Sequence, residues 1–418
     1  MTGCVILDGL RTPFCREGSS LAKLNAVDLG VRAGQAVMAR TRVPESDIDA
    51  LVAGNIGQPS DSANIGRVIG LVMGLPQGVP AHTVARNCAS GIEAVTTAVE
   101  KIRSGAGKCI LTVSTESMSQ YPFHMGPKLV KIFKDSNKGR TAMAKLAPFL
   151  RLRPSHILPR VALLEGLRDP TTNMMMGDTA DLLAREYHIP RAEQDAFALR
   201  SHRLASEASA KGLFKDEIAP VFLPNGESVE ADVGPRSDQT AEALAKLKSV
   251  FDRRYGTVTV GNACGITDGA GSLMVAQEDW ARGRGHSILA RIKGYAWTGC
   301  DPRRMGLGPV SACRKVLKEH SLTFKDVDVI EINEAFAAQV LACLRELAHS
   351  GETGPLSMDR INTQGGAIAL GHPVGATGAR LILTVAHQLK RSGKRLGLAS
   401  LCIGGGQGGA ILLENTDV

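Results

Sequence analysis

The two ends of this 418-residue chain repeat one pattern of helix, glycine and apolar strand. A helix-like run leaves Gly30, passes Val37 and Met38, and reaches Ser46-Asp47-Ile48-Asp49-Ala50-Leu51. A second leaves Gly308, passes Cys313 and Val316, and reaches Lys325-Asp326-Val327-Asp328-Val329-Ile330. Further on, Ala94-Val95-Thr96-Thr97-Ala98, then Ser104-Gly105, then Cys109-Ile110-Leu111-Thr112-Val113 is answered by Leu381-Ile382-Leu383-Thr384-Val385, Ser392-Gly393 and Leu396-Gly397-Leu398-Ala399-Ser400. Unbroken apolar runs after helices and glycine stops read as buried parallel strands. The order predicts an α/β fold of two duplicated halves.

Between the halves, residues 119–256 are richer in charge and in helix formers, with one long helix expected over 191–211 and a turn at Pro224-Asn225-Gly226. They read as an inserted domain. The first half then covers 1–118 and is completed by a strand segment within 257–279, and the second covers 280–418. Thr257-Val258-Thr259-Val260 is β-branched and predicts a strand ending at the Gly261 turn.

Nine cysteines, an odd number without C-x-x-C pairing, argue against a disulfide framework and a zinc site. No basic-then-apolar leader precedes Cys4-Val5-Ile6-Leu7, and no apolar stretch approaches membrane-spanning length, so a cytoplasmic enzyme is expected. The net charge of +8 is concentrated. Residues 121–160 hold nine Lys and Arg against the single acid Asp135, a surplus equal to that of the whole chain. Within them, Leu129, Val130, Ile132 and Phe133 share one helical arc and Lys128, Lys131 and Lys134 the other. That pattern suits a solvated basic surface, a phosphate-bearing ligand, a partner subunit or an anionic membrane surface. Nucleic acid is not expected, because the stretch has almost no interleaved aromatics and no recognition motif.

Three segments carry reactive side chains on small-residue turns. Cys88, in Asn87-Cys88-Ala89-Ser90-Gly91, stands where a strand turns into a helix, and the free N–H groups there are expected to lower its pKa. His372 is fixed between Gly371 and Pro373, and Cys402 opens the Gly404-Gly405-Gly406 turn, whose N–H groups are free to converge on an anion. Read as a phosphate loop, that turn lacks the Gly-Lys-Ser/Thr continuation.

With Asn333-Glu334-Ala335-Phe336-Ala337, these segments resemble the thiolase family, in the family's order and over essentially the whole chain from Arg11-Thr12-Pro13. The resemblance implies two mixed five-stranded sheets in a five-layered αβαβα core with an inserted loop domain. It makes Cys88 the acyl-carrying nucleophile, His372 its base, Cys402 the acid/base at the α-carbon and Asn333 the holder of a catalytic water. The N–H groups of Cys88 and Gly404 would receive the tetrahedral oxyanion. Met176 and Phe336 would border the acyl pocket, with Phe251 and Cys264 on the CoA side. Many thiolases carry histidine at the position of Met175 and serine at that of Cys264.

The implied reaction is thiolysis of a 3-ketoacyl-CoA by CoA through a ping-pong acyl-enzyme, with CoA thioesters as substrates and no metal or further cofactor. The basic insertion resembles that of the thiolase subunit of the fatty-acid β-oxidation trifunctional complex. It implies β-oxidation and a hydratase/dehydrogenase partner subunit, although that subunit usually has His where this chain has Asn333. A biosynthetic thiolase acting on short chains is the alternative. A decarboxylating ketoacyl synthase would lack the second catalytic cysteine, and a scaffold without turnover would not need all four catalytic positions filled. A homodimer or homotetramer is expected.

Overall fold

The computed structural model describes residues 2–349, 351 and 353–418. Its core strands are β1 (Cys4–Arg11), β2 (Ala50–Gly54), β3 (Ala81–Val84), β4 (Cys109–Ser117), β5 (Thr267–Gln277), β6 (Ala290–Gly299), β7 (Val329–Ile332), β8 (Leu396–Ile403) and β9 (Gln407–Glu414). They are hydrogen-bonded in the order β7-β8-β9-β6-β1-β5-β4-β2-β3, with the two-residue strand Cys15–Arg16 paired to β5 off that path.

The duplication is visible in the pairing. β2 runs parallel to β4 and β3 in the first half, and β7 runs parallel to β8 in the second. Ile361 makes a parallel bridge to Ile330, in the place that β3 takes beside β2. β5 is antiparallel to β4 and β1, as β9 is to β8 and β6. The halves join where Cys4, Val5 and Ile6 of β1 meet Ile292, Arg291 and Ala290 of β6.

Side-chain alternation along the strands sorts the core into layers. In β4, Cys109, Leu111 and Val113 pack beneath the outer helices Ala26–Thr41 and Ile65–Met73, while Ile110 faces inward. In β8, Leu398 and Cys402 turn to the opposite outer helices Gly308–Glu319 and Ala337–His349, while Ala399 and Leu401 face inward. The helices Ser90–Arg103 and Thr377–Ser392 lie between the two halves, which form one continuous sheet joined through β1 and β6 rather than the two separate five-stranded sheets expected, and share that inner core. These are the five αβαβα layers expected from the resemblance.

The helices Met176–Glu186 and Arg191–Ala210 bury Leu183, Phe197 and Ala198 in the core of the second half. Residues 121–161 instead project as a lobe whose neck is the antiparallel pair Phe123–His124 and Arg160–Val161. The expected strand over 257–260 does not form. Asp181 Oδ1 accepts the N–H groups of Thr257 (2.7 Å) and Val258 (3.0 Å), and Asn262 Oδ1 accepts that of Thr259 (2.8 Å). With its donors taken by side chains, the segment keeps only an isolated bridge from Thr259 to Ser249. β5 begins later, at Thr267.

Candidate active site

Cys88 lies between β3 and the helix Ser90–Arg103. Asn87 before it adopts a left-handed backbone (φ 46°), which asparagine tolerates better than most residues, and its Nδ2 donates to the Gly404 carbonyl at 2.8 Å. That bond ties the Cys88 turn to the glycine turn between β8 and β9. Arg86 braces the same junction: it bonds Glu93 at 2.7 Å and Gln407 at 3.0 Å, and stacks 4.4 Å above the Trp297 ring.

His372 follows Gly371, whose φ of 102° suits only glycine. Its Nδ1 is 2.5 Å from Thr377 Oγ1, and that hydroxyl donates to the Pro373 carbonyl at 3.0 Å. The hydroxyl proton is therefore committed, so the ring must donate through Nδ1–H, leaving Nε2 with its lone pair. Nε2 has no protein partner, and burial lowers the imidazole pKa to about 4, with the Arg380 charge adding to the effect. At neutral pH His372 is an uncharged base.

One cavity of about 120 Å³ collects these groups. Cys88, His372, Cys402, Gly404, Met176, Phe336 and Cys264 all line it. Asn333 and Phe251 are not on its lining. Asn333 is fully buried at the end of β7, and neither of its side-chain polar atoms has a protein partner. Phe251 stands behind the wall, edge-on to Phe336 with ring centroids 6.2 Å apart. The rest of the lining is almost wholly apolar and includes Ile56, Met118, Leu163, Leu167, Met305 and Val374, with no lysine or arginine.

The Cys88 pKa runs opposite to the sequence expectation. Burial pushes it up to about 11; hydrogen bonds from the backbone N–H groups of Gly404 and of Cys88 itself only partly counter this, and the Glu116 charge adds to the rise. Desolvation of the thiolate outweighs the helix terminus. Burial pushes Cys264 up to about 12 and raises Cys402 well above the ordinary thiol value. Of the three cavity thiols, Cys88 ionises most readily, and both N–H groups that favour its anion come from the turns joined by Asn87.

A second cavity, of about 250 Å³, shares with the first the loops around Cys264 and His372: Ala263 and Gly265 line it, as do Ala369 and Gly371. Its other walls include Arg16, His202 and Arg236. Neither arginine has a carboxylate partner among the described residues. Burial, with the two arginine charges, lowers the His202 pKa to about 4. Sequence reasoning missed this cavity because its cations come from segments more than two hundred residues apart. It also missed Thr377, although a hydroxyl five residues after His372 at a helix start was a usable signal. Among the described residues no cluster of three or more His, Cys, Asp or Glu side chains could hold a metal ion.

Duplicated halves carrying three thiols and a neutral imidazole around one apolar cavity define an acyl-transfer enzyme. The family model described as "Thiolase, N-terminal domain" matches residues 4–279, and "Thiolase, C-terminal domain" matches 286–415. The chain is 42% identical to a β-ketoadipyl-CoA thiolase of Pseudomonas knackmussii over 98% of both chains. It is 39% identical to an acetyl-CoA acetyltransferase of Escherichia coli over 99% of both. It superposes on the crystal structure of human mitochondrial 3-ketoacyl-CoA thiolase with a TM-score of 0.89, 36% identity and 99% of each chain covered. The chain belongs to the thiolase family and is an enzyme of its acyl-CoA acetyltransferase class.

Proposed function

We propose that this enzyme cleaves 3-ketoacyl-CoA with apolar acyl chains in fatty-acid β-oxidation, by thiolysis through an acyl-Cys88 intermediate. The shared cavity of Cys88, His372 and Cys402 carries the reading. His372 Nε2 takes the Cys88 proton, and the thiolate attacks the 3-keto carbon while the N–H groups of Cys88 and Gly404 receive the oxyanion. The bond between carbons 2 and 3 breaks, and Cys402 gives its proton to the departing acetyl-CoA carbanion. The thiol of free CoA returns a proton to Cys402 and takes the acyl group from Cys88, which regains its own proton from His372. Asn333, whose side-chain polar atoms are both unpartnered, would orient a water at the enolate. CoA and acyl-CoA are substrates, and the cycle needs no other cofactor. The basic second cavity would receive CoA phosphates while pantetheine passes Cys264 towards Cys88, with Phe251 backing the wall.

The relatives' names span different acyl groups, and the cavity separates them. A β-ketoadipyl chain ends in a carboxylate, which a cavity without lysine or arginine would desolvate unpaired, at a cost of several kcal/mol. An apolar chain meets no such penalty. Assays with CoA and short, medium, long and carboxylate-ended 3-ketoacyl-CoA should show the longer apolar chains with the highest kcat/KM. Preference for the carboxylate-ended substrate would refute the chain assignment, preference for the shortest would favour the biosynthetic alternative, and no thiolysis would refute the activity.

The lobe supports docking on an anionic lipid surface. Met143, Leu146, Leu150 and Leu158 stand exposed (Leu150 at 90%) among exposed Lys128, Lys131, Lys134, Lys138, Arg140, Lys145 and Arg153. None of these seven cations has a carboxylate partner among the described residues; the lobe's ion pairs are Arg151 with Asp135 and Arg160 with Glu165. No described helix is long and apolar enough to cross a membrane. A second copy fits elsewhere, along the edge strand β3 beside the exposed Leu71 and Val72. Sedimentation with and without anionic vesicles addresses both surfaces. A dimer that pellets with the vesicles, and is released by salt, is expected. A monomer would remove the edge-strand reading. Indifference to lipid would leave the lobe for a hydratase/dehydrogenase subunit.

A further inference from the structure

We propose that Glu116 is a positioning residue for this reaction, a clasp that fixes the loop bearing His372 against the walls of the catalytic cavity. It sits near the end of β4, fully buried, and makes no ion pair among the described residues. A buried carboxylate without a cation is tolerated only when donors surround it. Here they come from separate segments. Gly57 N–H donates at 2.8 Å, Ile56 N–H at 3.2 Å, Asn55 Nδ2 at 3.2 Å and Gly375 N–H at 2.8 Å. The Tyr121 phenol adds a further hydrogen bond.

What those segments hold makes the cluster more than a structural knot. Ile56 and Tyr121 line the catalytic cavity, as do His372 and Val374 on the loop that Gly375 ends. Gly375 is required there, since a Cβ would stand 2.7 Å from Glu116 Oε2. One carboxylate thus sets the spacing between the base, the 55–57 loop and the root of the lobe. Burial raises the Glu116 pKa to about 7 against the pull of those donors, and above that pH its charge reaches Cys88 and raises the thiol pKa. An apolar side chain of similar volume would fill the space without that charge, so packing alone does not explain an acid here.

The inference rests on the thiolase reading, so wild-type thiolysis of acetoacetyl-CoA is measured first; its absence would end that reading rather than this one. In an active enzyme, Glu116→Gln keeps the shape but replaces an acceptor oxygen with a donor that faces the N–H groups. kcat is expected to fall by about 10- to 100-fold with KM nearly unchanged, as small displacements of reacting groups do. The pH midpoint for iodoacetamide alkylation of Cys88 should also move down, since a neighbouring negative charge has gone. A purely structural role would leave that midpoint in place. If Glu116→Gln does not fold, Tyr121→Phe removes one donor but no charge, so kcat should fall by less, with KM nearly unchanged and the midpoint in place. A folded variant with wild-type kcat and an unmoved midpoint overturns the proposal.

Discussion

Cys88→Ala should abolish thiolysis, with a loss of about 10⁴-fold or more, while circular dichroism and melting temperature stay near wild type. The size follows from covalent catalysis: without the sulfur no acyl group can be stored, and the residual rate is only what binding and the oxyanion donors supply. The thiols beside it do not substitute. Burial pushes Cys264 up to about 12 and raises Cys402 well above the ordinary thiol value, each with one N–H group favouring its anion, whereas Cys88 has two, from Gly404 and from Cys88 itself. Stability should change little, because Cys88 is only half-buried and alanine keeps the backbone of the turn. Activity of Cys88→Ala within tenfold of wild type would move the nucleophile elsewhere.

His372→Ala should be nearly as damaging, by about 10²- to 10⁴-fold in kcat, the usual range for loss of a general base. With a pKa of about 11, only roughly one Cys88 in 10⁴ is a thiolate at pH 7, so the nucleophile depends on a partner that accepts its proton. His372 is suited to this because burial, aided by Arg380, holds its pKa near 4. A histidine whose pKa is lowered in the folded state stays neutral from pH 7 down past its ordinary 6.5, and protonates only as the pH approaches 4. Wild-type kcat/KM should therefore show no acid limb near 6.5. In His372→Ala, alkylation of Cys88 should be slow at pH 7 and climb with pH towards 11. Wild-type alkylation rates at pH 7 in that variant would contradict the assignment of the base.

The duplicated halves were legible because helix, glycine stop and apolar strand are local signals, and each recurs in chain order. Cys88, His372 and Cys402 were legible because each stands on a turn whose small residues serve backbone geometry: left-handed Gly371, and the Gly405 and Gly406 turn with φ of 88° and 79°. What failed was whatever depended on distant partners. Thr257 to Val260 have strand propensity, but Asp181 and Asn262 captured their N–H groups. At Cys88 the N–H groups of the turn favour the thiolate by too little, because the desolvation that opposes them appears only once the cavity is closed. Glu116 gave no signal at all: its donors lie at 55–57, 121 and 375, and only folding brings them to one carboxylate.

During turnover the acyl group is expected on the sulfur of residue 88. Mixing the enzyme with acetoacetyl-CoA while withholding free CoA, quenching in acid and mapping the peptides by mass spectrometry reads that bond directly. Acetyl on Cys88, lost again when CoA is added, is the predicted result. Acetyl on Cys264 or Cys402 instead, or turnover with no acetylated cysteine, would contradict it.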